Sequence, residues 1–358
     1  MIETVKSSLG NARVLIVRVG AMGDVLHALP AVAALRLAVP EIYLGWVVDP
    51  RWRPLLSSEE IQPFGSSRTS RTPIVDRCFV ADTRLWKRQG LSHATLTDLR
   101  SLTRTLRQQR FDSAVDMQGS LRSAAIGRWS GARRLLGSDQ PRERPARWIY
   151  HQRLGTSSRH VVPAGCELLG RALGIPLTPT PVTLPADLDA EHWVNTKFRS
   201  DAPTILLAPT AGWGAKQWPA ERFGAVARAL ADSGHRVLVN AASSQDPVAN
   251  RVVEASGHAA ELVVCSLPQL IALTRRLKLV LAGDTGPLHL AAALNVPVVG
   301  LYGPTDPART GPWCVPSRVL RDPTSITDHK RHRAPEAGLL RIEVAQVIDA
   351  ARELLAHV

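Results

Sequence analysis

The feature that most constrains this chain is a pattern that occurs twice. A short apolar strand ends in a glycine-containing turn, and the turn opens into a helix. Near the N-terminus it reads Val14-Leu15-Ile16-Val17-Arg18-Val19 and then Gly20-Ala21-Met22-Gly23-Asp24-Val25-Leu26-His27. In the second half it reads Thr204-Ile205-Leu206-Leu207-Ala208 and then, from Thr210, Ala211-Gly212-Trp213-Gly214-Ala215-Lys216-Gln217-Trp218-Pro219. Continuous apolar strands, rather than alternating ones, must be covered on both faces. Helices between the strands supply that cover, which points to a parallel sheet in each half.

The elements that follow keep the alternation. In the first half a helix is expected from about Val25 to Ala38, stopped by Pro40, then a strand over Tyr43–Val48. An arginine-rich stretch from Arg68 to Arg88 precedes a helix over Leu96–Gln109 and a strand over Ser113–Asp116. Residues 137–160 read as a polar, basic connection, followed by a helix near Cys166–Leu173 and a Pro-rich segment from Pro176 to Pro185. In the second half further strands are expected at Arg236–Val239, Glu261–Val264, Leu279–Ala282 and Val296–Leu301, with helices at Ala220–Asp232 and Leu288–Leu294. A last helix is expected from about Arg341 to His357.

The length of 358 residues suits two domains at about 150 residues each. The expected organisation is an N-terminal domain over 1–175, a linker over 176–200, a second domain over 201–335, and a final helix within 336–358 that is free to cross back onto the first domain. The fold class is α/β, with two Rossmann-like, doubly wound parallel-sheet domains. In such sheets ligands bind beyond the carboxyl ends of the strands, so two facing domains would form a cleft lined by the turns above.

Composition removes several function classes. The four cysteines, Cys78, Cys166, Cys265 and Cys314, have no CxxC spacing, so neither a zinc site nor a disulfide framework is indicated. The start, Met1-Ile2-Glu3-Thr4-Val5-Lys6, has no apolar signal core, and no run of about 18 apolar residues occurs. A cytoplasmic protein is expected. The net charge of +13 is uneven: residues 1–160 hold 25 Lys and Arg against 13 Asp and Glu, and the remainder 19 against 18. An Arg-rich genome would produce such an excess, and so would a polyanionic partner of the first half.

Each turn carries a candidate group. Asp24 is either an N-cap or a carboxylate that can take a proton from a hydroxyl. The spacing is not the G-x-G-x-x-G of a dinucleotide site. The loop from Thr210 to Pro219 holds glycines and Lys216, which suit a diphosphate, but no G-K-[ST] closes it as in a Walker A loop. The most specific stretch is Gly283-Asp284-Thr285-Gly286-Pro287-Leu288-His289, with Thr285 as an N-cap, Pro287 in the first turn and a helix N-terminus suited to an anion. A structural role for His289 or Asp284 is the plain alternative. Leu301-Tyr302-Gly303-Pro304-Thr305-Asp306-Pro307 is a tight loop at the same edge. In the first half, Asp116-Met117-Gln118-Gly119-Ser120-Leu121-Arg122-Ser123 follows a strand, and Arg122 can pair with phosphate or carboxylate groups.

In this order the stretches resemble glycosyltransferase family 9, the ADP-heptose:lipopolysaccharide heptosyltransferases. The matching pieces are Arg13 to Arg18, Met22 to Pro30, Asp116 to Ser123, Lys216 to Pro219, Gly283 to Leu294 and Gly300 to Thr305. The resemblance implies a GT-B fold with acceptor on the N-terminal side and donor on the C-terminal side. It implies inversion at the anomeric carbon, with no metal and no cofactor. It implies Asp24 as catalytic base and donor contacts from Lys216, Asp284, Thr285, Gly286 and His289; from their places in the same turns, Thr210 is expected on the donor side and Gly23, Gln118 and Arg122 on the acceptor side. The implied partners are ADP-heptose and an anionic lipopolysaccharide precursor (Kdo-lipid A or its heptosylated form) at the cytoplasmic face of the inner membrane, and no nucleic acid. Where family members often hold the ribose with an acidic residue, this chain has Ala242-Ser243-Ser244-Gln245-Asp246, and the segment after Pro312 matches no family piece. The competing readings are a nucleotide-sugar epimerase, a transferase with another donor, and a basic nucleic-acid-binding protein. The last lacks a helix-turn-helix, zinc-finger or RNP signature.

Overall fold

The computed structural model describes residues 7, 9–59, 68–90, 92–198, 202–328, 330 and 332–357. The chain divides into two compact units, 1–186 and 187–358. Unit 1 contains β1 (Arg13–Val17), α1 (Met22–Ala38), β2 (Tyr43–Val48), β3 (Arg77–Val80), α2 (Thr83–Gln89), α3 (His93–Gln108), β4 (Ser113–Asp116), α4 (Leu121–Trp129), β5 (Arg134–Ser138), β6 (Gln152–Leu154) and α5 (Val161–Leu173). Its sheet runs β3-β2-β1-β4-β5-β6, all parallel. Unit 2 contains α6 (Leu188–Lys197), β7 (Thr204–Ala208), α7 (Ala220–Asp232), β8 (Arg236–Ala241), α8 (Pro247–Ala255), β9 (Ala260–Val264), α9 (Leu267–Thr274), β10 (Leu279–Gly283), α10 (Gly286–Ala293), β11 (Val298–Tyr302), α11 (Pro307–Thr310), β12 (Ser317–Arg321) and α12 (Val344–Leu355). Its parallel sheet, β12-β11-β10-β7-β8-β9, repeats the first order from the opposite edge.

Both units are thus doubly wound, and each has one point where the strand order reverses: between β1 and β4, and between β7 and β10. The central strands are buried on both faces, as in β1, where Val14 to Val17 are all essentially inaccessible. Burying each such side chain contributes about 1.5–3 kcal/mol, which is why these runs dominate the sequence pattern. Ile16 pairs laterally with Trp46 and Val115, and Leu206 with Leu238 and Val280, so each switch point sits in the best-buried part of its sheet.

Four strands were not expected from the sequence. β3 lies inside the arginine-rich stretch, and β5 and β6 border or interrupt the basic connection. β12 is an edge strand of mixed polarity, Ser317-Arg318-Val319-Leu320-Arg321. Their apolar content is too low for a local signal, and sheet pairing supplies what they lack. The expected linker over 176–200 also differs. Asp187 accepts from the Ala190 N–H at 2.9 Å and caps α6, which packs on α9, where Glu191 pairs with Arg275 at 2.8 Å. The last helix, for which the sequence leaves a return to the first domain open, packs within unit 2. Val347, Ala351 and Leu354 of α12 join the core formed by α7 and β10–β11, and Trp218 Nε1 donates to the Ile342 carbonyl at 3.1 Å. No helix among the described residues is long and apolar enough to cross a membrane.

Candidate active site

In unit 1 the switch point brings together the turn after β1 and the loop after β4. α1 begins at Met22, so Asp24 is the third helical residue and not the N-cap; Ala21 holds that position. The Asp24 carboxylate reaches back, accepting from the Ala21 N–H at 3.0 Å and from Arg18 Nη2 at 2.9 Å. Arg18 also donates to the main-chain carbonyls of Asp24 and Met117. Sequence reasoning gave no role to Arg18; its signal is a cation at the carboxyl end of an otherwise apolar strand. Asp24 remains about one-third exposed (35% for its side chain). A carboxylate has about four lone-pair sites, so these two bonds leave room for a hydroxyl donor.

Gln118 Oε1 accepts from the Gly20 N–H at 3.2 Å, which ties the β4 loop to the β1 turn. Gly20 is needed because a Cβ there would stand 2.8 Å from the Trp52 indole. Asp116 lies beneath this loop and is 1% exposed. Its Oδ1 accepts from the Gln118 and Gly119 N–H groups, and its Oδ2 from Ser123 Oγ and Tyr150 Oη, at 2.7–3.0 Å. Burial pushes the Asp116 carboxyl up, with the four donors working against it. The same burial, with Asp116 beside it, pushes the Tyr150 phenol up. Asp116 is a structural post for the loop that presents Gln118. Gly23 lies in the first turn of α1, and Arg122 is exposed at the start of α4, with one contact to the Thr83 carbonyl at 3.4 Å. His27, one turn beyond Asp24, has its ring edge-on to that of His160, the N-cap of α5, at 6.3 Å.

In unit 2 the corresponding switch point joins the loop after β7 to the turn after β10. Lys216 Nζ lies 2.6 Å from Asp284 Oδ2 and donates also to the Asp284 carbonyl at 3.2 Å. His289 Nε2 lies 2.8 Å from Asp284 Oδ1. All three side chains are largely buried, at 14%, 8% and 6% exposed for Lys216, Asp284 and His289. Burial alone pushes the Asp284 carboxyl up, but the His289 hydrogen bond and charge and the Lys216 ammonium outweigh it and hold it well below its ordinary range. Burial next to Asp284 raises the Tyr302 phenol. Lys216 also sits over the Trp213 ring at 4.7 Å.

Thr285 is the N-cap of α10 as expected, but its hydroxyl donates to the Gly283 carbonyl at 3.2 Å and no side chain caps the helix. The first turn, with Gly286 and His289, is therefore open to an anion from outside. Thr210 stands two residues past β7 in the same loop system, partly exposed. Thr305, in the loop after the neighbouring strand β11, is 6% exposed and its Oγ1 has no protein partner. Leaving a buried hydroxyl unsatisfied costs about 1–3 kcal/mol, so Thr305 is a polar group that a ligand can satisfy. In the segment without an acidic ribose partner, Asp246 is committed to capping α8 through the Val248 and Ala249 N–H groups, both at 3.1 Å. Sequence reasoning missed the segment 332–336. The Ala215 N–H donates to the His332 carbonyl at 3.1 Å, and the Glu336 N–H to the Ala215 carbonyl at 3.2 Å. A Cβ on Gly214 would collide with the Arg333 carbonyl, so this glycine serves the contact with 332–336.

The depressed Asp284 carboxyl makes a pH prediction. Its value in the folded chain lies below the ordinary Asp value of 3.8, so it stabilises the fold above that pH and the contribution is lost as pH falls through the acid range. The melting temperature of the wild type should therefore drop more steeply between about pH 5 and pH 3, a range that brackets the ordinary carboxylate values, than that of Asp284→Asn. Parallel curves would show that Asp284 carries no such linkage.

Known proteins share this architecture. The family model described as glycosyltransferase family 9 (heptosyltransferase) matches residues 99–338. Lipopolysaccharide heptosyltransferase 1 of Escherichia coli K12 is 30% identical over 318 residues, which is 87% of this chain and 94% of that protein. Lipopolysaccharide heptosyltransferase 2 of the same strain is 26% identical, covering 96% of this chain and 98% of that one. The solved structure of E. coli heptosyltransferase WaaC with ADP superimposes with a TM-score of 0.76 at 26% identity, covering 96% of this chain and 99% of its own. The structure of the same protein with ADP-2-deoxy-2-fluoro heptose gives a TM-score of 0.74. The GT-B architecture expected from the sequence is the one these structures share.

Proposed function

The chain belongs to glycosyltransferase family 9, and from that premise we propose that it transfers a heptose from ADP-heptose to the inner core of a lipopolysaccharide precursor, with inversion and without a metal. The observation that carries this reading is that each switch point holds one half of the required chemistry. Unit 1 offers a part-exposed carboxylate, Asp24, and unit 2 a buried cation beside an uncapped helix start. The relatives named as lipopolysaccharide heptosyltransferases, and the WaaC complexes with ADP and an ADP-heptose analogue, support donor and acceptor class.

In the proposed single displacement, Asp24 takes the proton of the acceptor hydroxyl as that oxygen attacks the anomeric carbon on the face opposite the diphosphate. Negative charge then grows on the leaving ADP. Lys216 has three N–H donors, two directed at Asp284, and the third is available to phosphate. Asp284 itself, an anion, does not bind the diphosphate; it positions Lys216 and His289. The N–H groups that open α10 and the Thr285 region complete the anion pocket, with Thr210 beside it. In this reading Gly23, Gln118 and Arg122 contact the acceptor. The protein works in the cytoplasm at the inner face of the inner membrane, where the basic first half meets an anionic surface.

A thermal-shift screen tests the donor. ADP-heptose at a hundred times its dissociation constant should stabilise the chain by about 2.7 kcal/mol, with UDP, GDP and dTDP sugars giving smaller shifts. A larger shift with a non-adenine donor would sink the assignment. The anomeric configuration of the product, read by NMR, tests inversion separately.

A further inference from the structure

We infer that one face of unit 1, formed by the outer surfaces of α3, α4 and the turn Arg144–Trp148, docks onto an anionic lipid bilayer. The inference rests on the proposed membrane contact and assigns it a surface. The three segments cover the same side of the sheet: Leu106, Ala124, Ile126 and Ala146 lie in one core cluster beneath them. What they turn outward is basic and aromatic. Arg100, Arg104 and Arg107 recur at helical spacing along α3, all exposed. Trp129 at the end of α4 is 42% exposed and Trp148 is 78% exposed. An open groove of about 750 Å³ runs between α3 and Trp129, with Leu96, Arg100, Arg104 and Arg107 in its wall.

Basic groups outnumber acids on this face: beside the arginines stand Asp98 of α3, which accepts from Trp86 Nε1 at 2.7 Å, and Glu143, which accepts from the Leu121 N–H at 2.9 Å. Among the described residues none of Arg100, Arg104 and Arg147 pairs with a carboxylate. Arginines without a carboxylate partner beside exposed tryptophans match the two layers of a membrane interface, anionic headgroups outside and amphipathic ring sites just below. A nucleic acid would use the arginines and could stack bases on the tryptophans, but the aliphatic side chains of Leu96 and Leu99 in the groove suit acyl chains rather than bases.

The test is flotation at low salt with phosphatidylglycerol-containing vesicles and with neutral phosphatidylcholine vesicles, together with transfer to a delipidated, soluble acceptor. The variants are the triple change Arg100→Gln, Arg104→Gln, Arg147→Gln, and Trp148→Ser. The wild type should float with the anionic vesicles only. The triple variant should bind them about a hundredfold more weakly, at about fivefold per arginine, and Trp148→Ser should also bind more weakly, both with soluble transfer unchanged. Equal flotation of wild type and variants would overturn the assigned face while leaving the membrane contact standing. A wild type that ignores anionic vesicles would overturn both, with soluble transfer still reporting on the enzyme reading. Parallel loss of soluble transfer would make the face a glycan site, and RNA retention on filters lost in the triple variant, without vesicle binding, would make it a nucleic-acid site; either overturns the inference.

Discussion

Asp24→Ala should lower the turnover of heptosyl transfer by about 10²–10⁴-fold, the range for loss of a positioned general base, with ADP-heptose affinity unchanged. The separation of effects follows from where the side chain is held. Its partners, Arg18 and the Ala21 N–H, are in the turn after β1, whereas Lys216, Asp284 and His289 belong to unit 2. Local collapse is not expected, since Arg18 keeps its bonds to the carbonyls of residues 24 and 117. Asp24→Asn is the sharper variant: an amide oxygen can still accept from the Ala21 N–H but the group cannot take a proton. Single-turnover transfer and calorimetric donor binding read the two effects apart. Near-normal turnover in the Asn variant would remove Asp24 from the chemistry.

Lys216→Met should cost both catalysis and stability. Loss of one preorganised donor at a developing charge lowers turnover by about 10²–10³-fold. The same change strands the Asp284 carboxylate, which is 8% exposed and ion-paired at 2.6 Å. Removing one partner of a buried pair costs about 3–5 kcal/mol, so the melting temperature should fall sharply. Adding Asp284→Asn removes the stranded charge and keeps a partner for His289. The double variant should therefore recover much of the stability and none of the transfer rate. Recovery of both would mean that Lys216 acts only through the fold; a single variant with unchanged melting temperature and rate would remove it from both roles.

Much of the candidate site could be read in the chain because glycines, a lone lysine and the Asp284–His289 block mark the ends of apolar strands. The roles within the site were less legible. Asp24 looked like an N-cap by position, yet α1 starts at Met22 and places it three positions past the cap, as the third residue of the first turn. Asp284 looked like a donor contact, and its oxygens prove to be occupied by Lys216 and His289. Arg18, Asp116 and Thr305 acquire meaning only through partners or burial that lie outside their own segments. Residues 332–336 carry no motif at all; they matter because their backbone bonds to Ala215.

What the amino-acid order decided alone is the alternation of buried strands and helices, the doubling of that pattern, and the placing of polar turns at strand ends. These are local properties, set by hydrophobic periodicity and by what glycine, proline and capping residues permit. The tertiary structure decided which strands are neighbours, and so which turns share a switch point. Sheet order depends on burial summed over residues far apart in the chain, and β3, β5, β6 and β12 are strands because their neighbours make them so. The pairing of Lys216 with a carboxylate 68 positions away belongs to the same class: a short distance in space that no spacing along the chain records.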